Sequence, residues 1–387
     1  MYFHLEISKL KILFVYDHFY PAYRAGGPIQ SLTNLAVALE PDCEISILTS
    51  AYDHNMSEVL KGIETDIWTQ VKLPNAVNTI KIWYANKKKI NKETVAGCLA
   101  GLQPNVIYLN GMFSYRFVII SLLTIDKSKI KVVLCPRGML QSGALAGKSF
   151  KKKLYLSALK LSGLVKNISW HATNAEEEGD IRKVFGSKVN VIVAANIPKA
   201  PVNKVIDSEK AQGQLRLIYL SLIAEKKNLL QLIELVNKSV ADITLDIYGP
   251  VKDAAYWKKC EQAIAGSNGK VKYMGDIRPE QVQDTFAKYD ASILLTKGEN
   301  FGHALYESLS AGRPIITSYF TPWNELEQKK AGWNVDIADN AACLNILESI
   351  CNLDNALFNV YCDGAYEMAK LYYRESSDLS NYYKMFS

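Results

Sequence analysis

Two glutamates, eight positions apart, are the residues of this chain best suited to hold a polar ligand. Glu299 and Glu307 stand on either side of the step Phe301-Gly302. A carboxylate accepts hydrogen bonds from hydroxyl groups, and a glycine lets the backbone come close to a ligand. This pattern favours a ligand that is held by one acid at each end, with an anionic group near the glycine.

The flanking residues predict where the two acids lie. Residues 291–295 are typical of a buried strand, 308–314 of a helix end, and 315–317 of the next strand. Glu299 then lies in a strand-to-helix loop and Glu307 lies within the helix, as in a ligand-binding corner of an α/β sheet. The plainer alternative is a helix cap for the first acid and a surface position for the second.

Two other segments carry groups that can meet phosphate. Gly26-Gly27 lies between the first predicted strand and the first predicted helix, where backbone amides can approach an anion. Lys227 follows the first strand of the second half, and a lysine at such a junction can meet phosphate as a point charge. An ordinary turn and a solvated loop are the corresponding alternatives.

Strand-like runs alternate with helical patterns in two series, which predicts parallel sheets in an α/β fold. The predicted strands are residues 11–16, 44–49, 106–109, 132–134 and 189–193, then 215–220, 243–248, 271–274, 291–295 and 314–317. The predicted helices include residues 29–39, 229–236 and 365–386, and a polar linker is expected at 199–214. The chain is therefore expected to form two doubly wound, Rossmann-like domains that face each other across a cleft.

Length and composition agree with two domains of a globular protein. The chain has 387 residues, with 49% hydrophobic and 22% charged residues. No run reaches the roughly 18 apolar residues that span a bilayer, and the N-terminus does not resemble a signal peptide. The seven cysteines include no Cys-x-x-Cys pair, which favours free thiols in a reducing cytoplasm.

Charge is distributed unevenly along the chain. Through Ala195 there are 24 Lys/Arg and 15 Asp/Glu, a net charge of +9, whereas the remainder has 21 and 24, a net charge of −3. The densest basic stretch is residues 148–153, which is followed by leucines at helical spacing. Such a helix can lie on an anionic membrane, and the alternative is a core-facing helix with a solvated lysine face.

Metal chemistry has little support in the sequence. The chain has no Asp-x-Asp, and its five histidines are scattered, whereas a metal that grips a diphosphate needs clustered ligands. We therefore expect no metal and no cofactor, with lysine, arginine and helix termini meeting the phosphate charge.

The pattern Glu299-x7-Glu307 resembles that of the retaining glycosyltransferases of family 4 (glycosyl transferases group 1), which have the GT-B fold. The resemblance covers nearly the whole chain. Several segments of the chain are similar to those of bacterial capsule and O-antigen members of the family. It implies that residues 1–200 bind the acceptor and 201–368 bind a nucleotide sugar. Residues 369–387 are expected to form a helix that packs back on the N-terminal domain.

The resemblance also implies roles for individual residues. Glu299, Lys227 and Arg137 are expected in the catalytic centre. The expected donor contacts are Gly26, Gly27, Lys227, Gly275, Ile277, Glu299, Asn300, Phe301, Gly302 and Glu307. The sequence departs from the family pattern at Leu222, where an arginine is usual beside the diphosphate, and at Arg137, where many relatives carry a histidine. Asn228 also stands where glycine is usual.

The implied activity is transfer of a sugar from a nucleoside diphosphate to an acceptor hydroxyl with retention of configuration. The expected acceptor is a glycan or a polyprenyl-diphosphate-linked molecule, as in bacterial surface polysaccharide synthesis, and nucleic acid is not expected. The expected location is the cytoplasm or the inner face of its membrane. A non-catalytic scaffold subunit with the same fold is the alternative favoured by Leu222, and a sugar-nucleotide epimerase lacks an evident acid/base cluster.

Overall fold

The chain forms two compact units in the computed structural model, which describes residues 9–86, 90–141, 149–201 and 209–387. The N-terminal unit runs to Ile197 and also takes in Asp378–Ser387, whereas the C-terminal unit is Pro198–Ser377. The second boundary lies beyond the predicted position at 368 because one helix continues unbroken across that point.

The N-terminal unit is an α/β unit in which helices connect the strands of one sheet. Its strands are β1 (Leu10–Val15), β2 (Cys43–Ser50), β3 (Trp68–Lys72), β4 (Thr79–Ala85), β5 (Val106–Asn110), β6 (Lys131–Cys135), β7 (Ser169–Ala172) and β8 (Asn190–Val193). Its first helices are α1 (Gly27–Leu39), α2 (Lys92–Leu102), a π-helical turn (Tyr115–Ile119), α3 (Ile120–Thr124), α4 (Ser149–Leu161) and α5 (Ala175–Phe185).

The strand order in this unit is β3-β4-β2-β1-β5-β6-β7-β8. Every neighbouring pair is parallel except β3 with β4. The order reverses direction at β1, whose neighbours are β2 and β5. In open parallel sheets, ligands bind at the carboxyl ends of strands beside such a reversal.

The C-terminal unit repeats this plan with six strands. They are β9 (Gln214–Leu220), β10 (Asp242–Tyr248), β11 (Val271–Gly275), β12 (Ala291–Leu294), β13 (Ile315–Ser318) and β14 (Gly332–Val335). The helices are α6 (Leu229–Lys238), α7 (Ala254–Ala265), α8 (Val282–Phe286), α9 (His303–Ser310), α10 (Asn340–Cys351) and α11 (Asn355–Ser376), with 3-10 turns at Glu225–Lys227 and Pro279–Gln281. The strand order β11-β10-β9-β12-β13-β14 places the reversal between β9 and β12.

The central strands of both sheets are buried on both faces, which explains why their sequences are continuous apolar runs. In β12 and β13 every residue is buried, and β5 and β7 show the same pattern. The alternating series of strands and helices predicted from the sequence is confirmed in both units.

The last helix, α12 (Ser380–Phe386), belongs to the N-terminal unit. Tyr382, Met385 and Phe386 are buried in its core, and the Tyr382 hydroxyl donates to the Ala195 carbonyl at 2.8 Å. The single helix predicted at 365–386 is wrong in its extent. The helix already begins at Asn355, and residues 377–379 separate it from α12.

Candidate functional site

The reversal of strand order in the C-terminal unit brings the predicted lysine and the predicted glutamate together. Lys227 lies in the turn that follows β9, and Glu299 lies in the loop that follows β12. These strands are parallel neighbours, so their carboxyl ends lie at the same edge of the sheet.

Backbone hydrogen bonds fix the two loops to each other. The Lys226 carbonyl accepts from the Lys297 amide at 2.9 Å and from the Thr296 hydroxyl at 3.2 Å. On the other side, the Glu299 amide donates to the Phe320 carbonyl at 2.8 Å. Three chain segments therefore set the position of Glu299, and only one of them carries the predicted motif.

Lys227 and Glu299 form an ion pair through Nζ and Oε2. Their side chains are 17% and 19% exposed, so water screens the pair only in part. Burial is the largest influence on the pKa of Glu299 and raises it, but the charges of Lys227 and Lys226, the hydrogen bond from Lys227 and the Asn300 amide together hold this pKa below its usual range. Glu299 is consequently an anion at neutral pH and can only accept hydrogen bonds.

Gly302 forms the corner between this loop and α9. Its φ of 80° lies in the left-handed region that favours glycine. A β-carbon there would also lie 3.2 Å from the Glu299 Cγ atom and 3.1 Å from a Leu305 methyl group. A larger residue would therefore push against the side chain of the catalytic candidate.

A cluster of aromatic side chains packs beneath the loop that carries Glu299 and Gly302, on its buried side. Phe301 is 4% exposed and lies within 5.3–5.8 Å, between ring centroids, of Tyr306, Trp323 and Tyr372. The Trp323 indole N–H donates to the Phe301 carbonyl at 2.6 Å. The long helix α11 contributes Tyr372, so the loop packs against a helix as well as against its own neighbours.

Glu307 lies one turn into α9, on the side that remains partly exposed. Leu305, Tyr306 and Ser308–Ser310 are buried, whereas His303, Ala304 and Glu307 are half-buried and share one face at helical spacing. A ligand at the start of α9 can therefore reach the Glu307 carboxylate along this face.

Gly275 and Ile277, the residues predicted near a nucleobase, lie at the same edge of the sheet. Gly275 ends β11 and pairs with Tyr248 at the end of β10. Ile277 packs with Tyr248 and Ala304 around the small buried cluster of Ile218 and Phe286. The predicted base contact and the first turn of α9 thus share one patch of apolar surface.

The structure explains one of the departures from the family pattern. Asn228 has φ 58° and ψ 32°, at the point where the 3-10 turn meets α6. Asparagine tolerates this left-handed conformation better than most residues, so it can take the place of glycine. Leu222 is half-buried and lies outside the apolar clusters of the described residues, so core packing does not explain the missing arginine.

In the N-terminal unit, the predicted Gly26-Gly27 step begins α1. Gly26 has φ 78° and ψ −145°, a combination that is essentially limited to glycine. The preceding loop is held by Asp53, whose carboxylate accepts from the Tyr23 amide at 3.0 Å and the Arg24 amide at 3.1 Å. Asp53 was not predicted, although its position three residues after a buried strand could have indicated it.

Arg137, the third predicted catalytic residue, is enclosed by neutral partners. Its guanidinium donates to Asn110 at 2.9 Å, to Asn196 at 2.7 Å and to the Tyr108 hydroxyl at 3.0 Å, and the residue is 9% exposed. These contacts occupy all three of its nitrogen atoms. Arg137 lies at the carboxyl end of β6, at the edge of its own sheet where ligands bind in open parallel sheets.

The same network fixes the protonation of His171. Its Nε2 lies 2.8 Å from the Ala194 carbonyl and must donate to it, so Nδ1 accepts from the Tyr108 hydroxyl at 2.6 Å. Burial and the neighbouring Arg137 charge lower the pKa of His171 to about 3. His171 is therefore a neutral structural residue at physiological pH, and Arg137 carries the charge of this cluster.

Comparison with known proteins assigns the C-terminal segment. Residues 203–356 match the family model "Glycosyl transferases group 1". This segment is a glycosyl transferases group 1 domain. It contains Lys227, Gly275, Ile277 and the residues from Glu299 to Glu307, whereas Gly26, Gly27 and Arg137 lie outside it.

Solved structures of low sequence identity share the fold over nearly the full chain. Sucrose-phosphate synthase from Thermosynechococcus elongatus has a TM-score of 0.72 at 15% identity, covering 97% of this chain and 98% of its own. Anabaena HepE, in complex with UDP and glucose, has a TM-score of 0.71 at 13% identity, covering 97% and 99%. WaaG, a glycosyltransferase involved in lipopolysaccharide biosynthesis, has a TM-score of 0.62 at 12% identity, covering 95% and 99%. The predicted GT-B fold is therefore confirmed. No curated protein matches the chain in sequence.

Within the described ranges, no group of three or more His, Cys, Asp and Glu residues is arranged to hold a metal ion. None of the described helices is long and apolar enough to span a bilayer.

Proposed function

We propose that the protein transfers a sugar from a nucleoside diphosphate to an acceptor hydroxyl with retention of configuration. The observation that carries this proposal is the Lys227–Glu299 pair at the reversal of the glycosyltransferase domain's sheet. An anionic carboxylate and an ammonium group, held side by side, match the two polar parts of the donor, its sugar hydroxyls and its diphosphate.

The donor would lie along the carboxyl edge of this sheet. Lys227 would donate to phosphate oxygens while remaining beside Glu299, and Lys226 would add a second positive charge. Glu299 would accept from hydroxyls of the transferred sugar, and Glu307 from those of the ribose. Gly275 and Ile277 would contact the base.

The reaction would require positioning more than acid/base chemistry from the protein. The acceptor oxygen would form a bond to the anomeric carbon as the bond from that carbon to the diphosphate oxygen breaks. The acceptor's proton would pass to the departing diphosphate on the same face of the sugar. Lys227 and the backbone near Gly302 would stabilise the charge that develops on the leaving group.

Uridine diphosphate sugars are the donors to test first, because Anabaena HepE has the same fold and is known with UDP and glucose. The fold shared with WaaG, a glycosyltransferase of lipopolysaccharide biosynthesis, supports a role in bacterial surface polysaccharide synthesis. The acceptor would be a glycan or a polyprenyl-diphosphate-linked molecule at the inner face of the cytoplasmic membrane.

A panel of nucleotide sugars tests donor binding directly, because a bound ligand raises the melting temperature by mass action. We expect stabilisation by one nucleoside diphosphate sugar, and transfer from that donor. Glu299→Gln should lower transfer at least about 100-fold, the effect typical of losing one preorganised polar contact to a transition state. Glu261→Gln, an exposed acid on α7 of the same unit, is the matched control and should be unaffected.

The outcomes separate this proposal from a non-catalytic subunit. Donor binding without transfer to any acceptor would favour the scaffold role that Leu222 suggested, and full activity in Glu299→Gln would overturn the assignment of the site. Transfer should also persist in the presence of EDTA, since we propose that lysines and backbone amides, without a metal ion, meet the diphosphate charge. A strict need for a divalent ion would contradict that part of the proposal.

A further inference from the structure

Helix α4 (Ser149–Leu161) presents an apolar stripe to solvent. Phe150, Leu154 and Leu161 are 78%, 62% and 87% exposed. With Ala158, which is also exposed, they follow one another at spacings of four, four and three residues, so they lie on one face of the helix. Large apolar side chains scattered singly on a surface are ordinary, but three on one helical face form a patch that a partner can cover.

The opposite face of α4 attaches the helix to its unit. Leu156 and Leu159 are buried in the core. The Tyr155 hydroxyl donates to the Met112 carbonyl at 2.7 Å, and the Tyr155 ring lies 5.4 Å from the ring of Phe113. These buried leucines and the contacts of Tyr155 fix the inner face of the helix. The outer stripe is therefore exposed although the helix itself is firmly packed.

Lysines border the stripe on both sides. At about 100° per residue, Lys151 lies beside one edge of the stripe, and Lys153 and Lys160 lie beside the other, and all three are exposed. The helix has four lysines and no acidic residue. Long lysine side chains can keep their ammonium groups in the headgroup region while apolar neighbours enter the acyl region.

This charge pattern decides between two possible occupants of the stripe. A second copy of the chain would bring the same lysines against one another, with no carboxylate on the helix to offset them. An anionic lipid surface is attracted by each lysine and takes up the apolar side chains.

We propose that α4 lies in the surface of an anionic bilayer, with Phe150, Leu154 and Leu161 inserted and the three bordering lysines at the lipid phosphates. Met112, to which the helix is hydrogen-bonded, follows the carboxyl end of β5, the edge at which Arg137 and the Gly26 loop also lie. The membrane would therefore meet the unit beside its ligand-binding edge. This inference stands apart from the proposed transferase activity, because lipid binding can be measured without a donor or an acceptor.

Co-flotation with vesicles tests the inference. We expect the protein to float with vesicles of equal parts phosphatidylglycerol and phosphatidylcholine, and to float far less with phosphatidylcholine alone or at high salt. Phe150→Ser with Leu154→Ser should weaken binding at least about tenfold for each side chain. Lys151→Gln with Lys153→Gln should weaken it about fivefold for each lysine.

Matched variants control for general effects of charge and apolarity. Lys238→Gln with Lys258→Gln removes two exposed lysines of the C-terminal unit, and Val240→Ser removes a 95% exposed apolar side chain. These variants should bind vesicles like the unaltered protein. Equal binding by the α4 variants and the controls would overturn the proposal. So would sedimentation as a dimer that Phe150→Ser with Leu154→Ser dissociates, which would identify a second copy as the occupant.

Discussion

Arg137 and Lys227 both carry a positive charge at the carboxyl edge of a parallel sheet, but their surroundings differ in kind. Arg137 is 9% exposed, and its nitrogens donate to neutral oxygens of Asn110, Asn196 and Tyr108. Lys227 is 17% exposed and has the anion Glu299 beside it. One cation is held by three neutral hydrogen-bond acceptors, and the other is held by a single carboxylate in a partly exposed pair.

The difference separates a residue that organises its unit from one that is available to a ligand. A buried network in which each guanidinium nitrogen donates a hydrogen bond stabilises one arrangement of the strands around it. The cost of removing two charges from water largely offsets their attraction in a mostly buried ion pair, so stability alone does not explain why Lys227 and Glu299 are placed together. The variants below test this division.

Replacing Arg137 should have the largest effect on stability. Arg137→Met leaves three buried oxygens without their donor, at about 1–3 kcal/mol each, and relief from burying a charge offsets part of that loss. We expect the free energy of unfolding of the N-terminal unit to fall by about 2–4 kcal/mol, measured by urea denaturation followed by circular dichroism. If Arg137→Met instead keeps its stability and loses transfer, Arg137 contacts the ligand as the resemblance implies.

Replacing Lys227 should lower activity much more than it lowers stability. Lys227→Met removes the partner of a mostly buried carboxylate, so it should lower the free energy of unfolding by about 1–2 kcal/mol, between the values typical of exposed and of fully buried pairs. It should lower kcat/KM at least about 100-fold by removing the charge that meets the diphosphate. Lys297→Met, in the neighbouring loop, is the control; an equal loss in both variants would mean that only the local net charge matters.

Replacing Trp323 tests how firmly the Glu299 loop must be held. Trp323→Phe keeps an aromatic ring but removes the N–H that donates to the Phe301 carbonyl, at about 1–3 kcal/mol. We expect kcat/KM to fall about tenfold, mainly through kcat, because Glu299 is less well positioned. Trp333→Phe, which alters a ring stacked on Tyr361 in the same unit, should leave the ratio of kcat to KM unchanged.

Introducing an arginine at Leu222 should have the smallest effect. Leu222 is half-buried and outside the apolar clusters of the described residues, so Leu222→Arg should fold with a melting temperature close to that of the unaltered protein. Its guanidinium should leave the Kd for the nucleoside diphosphate unchanged or lower it, as isothermal titration calorimetry would show. Unfolding in this variant would show that Leu222 is required for packing.

Structure could be predicted from the sequence where a residue type or pattern has one main physical explanation. Gly302 was predicted between the two acids as a point where the backbone can approach a ligand, and its φ of 80° gives a further reason for glycine there. Most of the central strands were predicted because burial on both faces leaves a continuous apolar run, but β4 and β7 were not among the predicted strands. Strand β3 was missed because it is a half-exposed antiparallel edge strand with polar positions, and β14 because it is four residues long and includes Gly332 and Asn334.

Contacts between residues far apart in the chain could not be predicted from the sequence. The bond from Trp323 to the Phe301 carbonyl joins residues 22 positions apart, and the network around Arg137 reaches Asn196, 59 positions away. Neither contact leaves a local pattern, since asparagine and tryptophan serve many roles. The sequence thus indicated which residues bear charge but could not tell which charges were already engaged.

The placement of α12 has a consequence for how the protein is made. Met385 and Phe386 fill the core of the N-terminal unit, yet a ribosome adds them only after the whole of Pro198–Ser377. The first unit to emerge must therefore wait, with part of its interior open to water, until the second has been synthesised. A fragment ending at Ile197 should expose this apolar gap and aggregate, and supplying α12 as a separate peptide should restore its solubility.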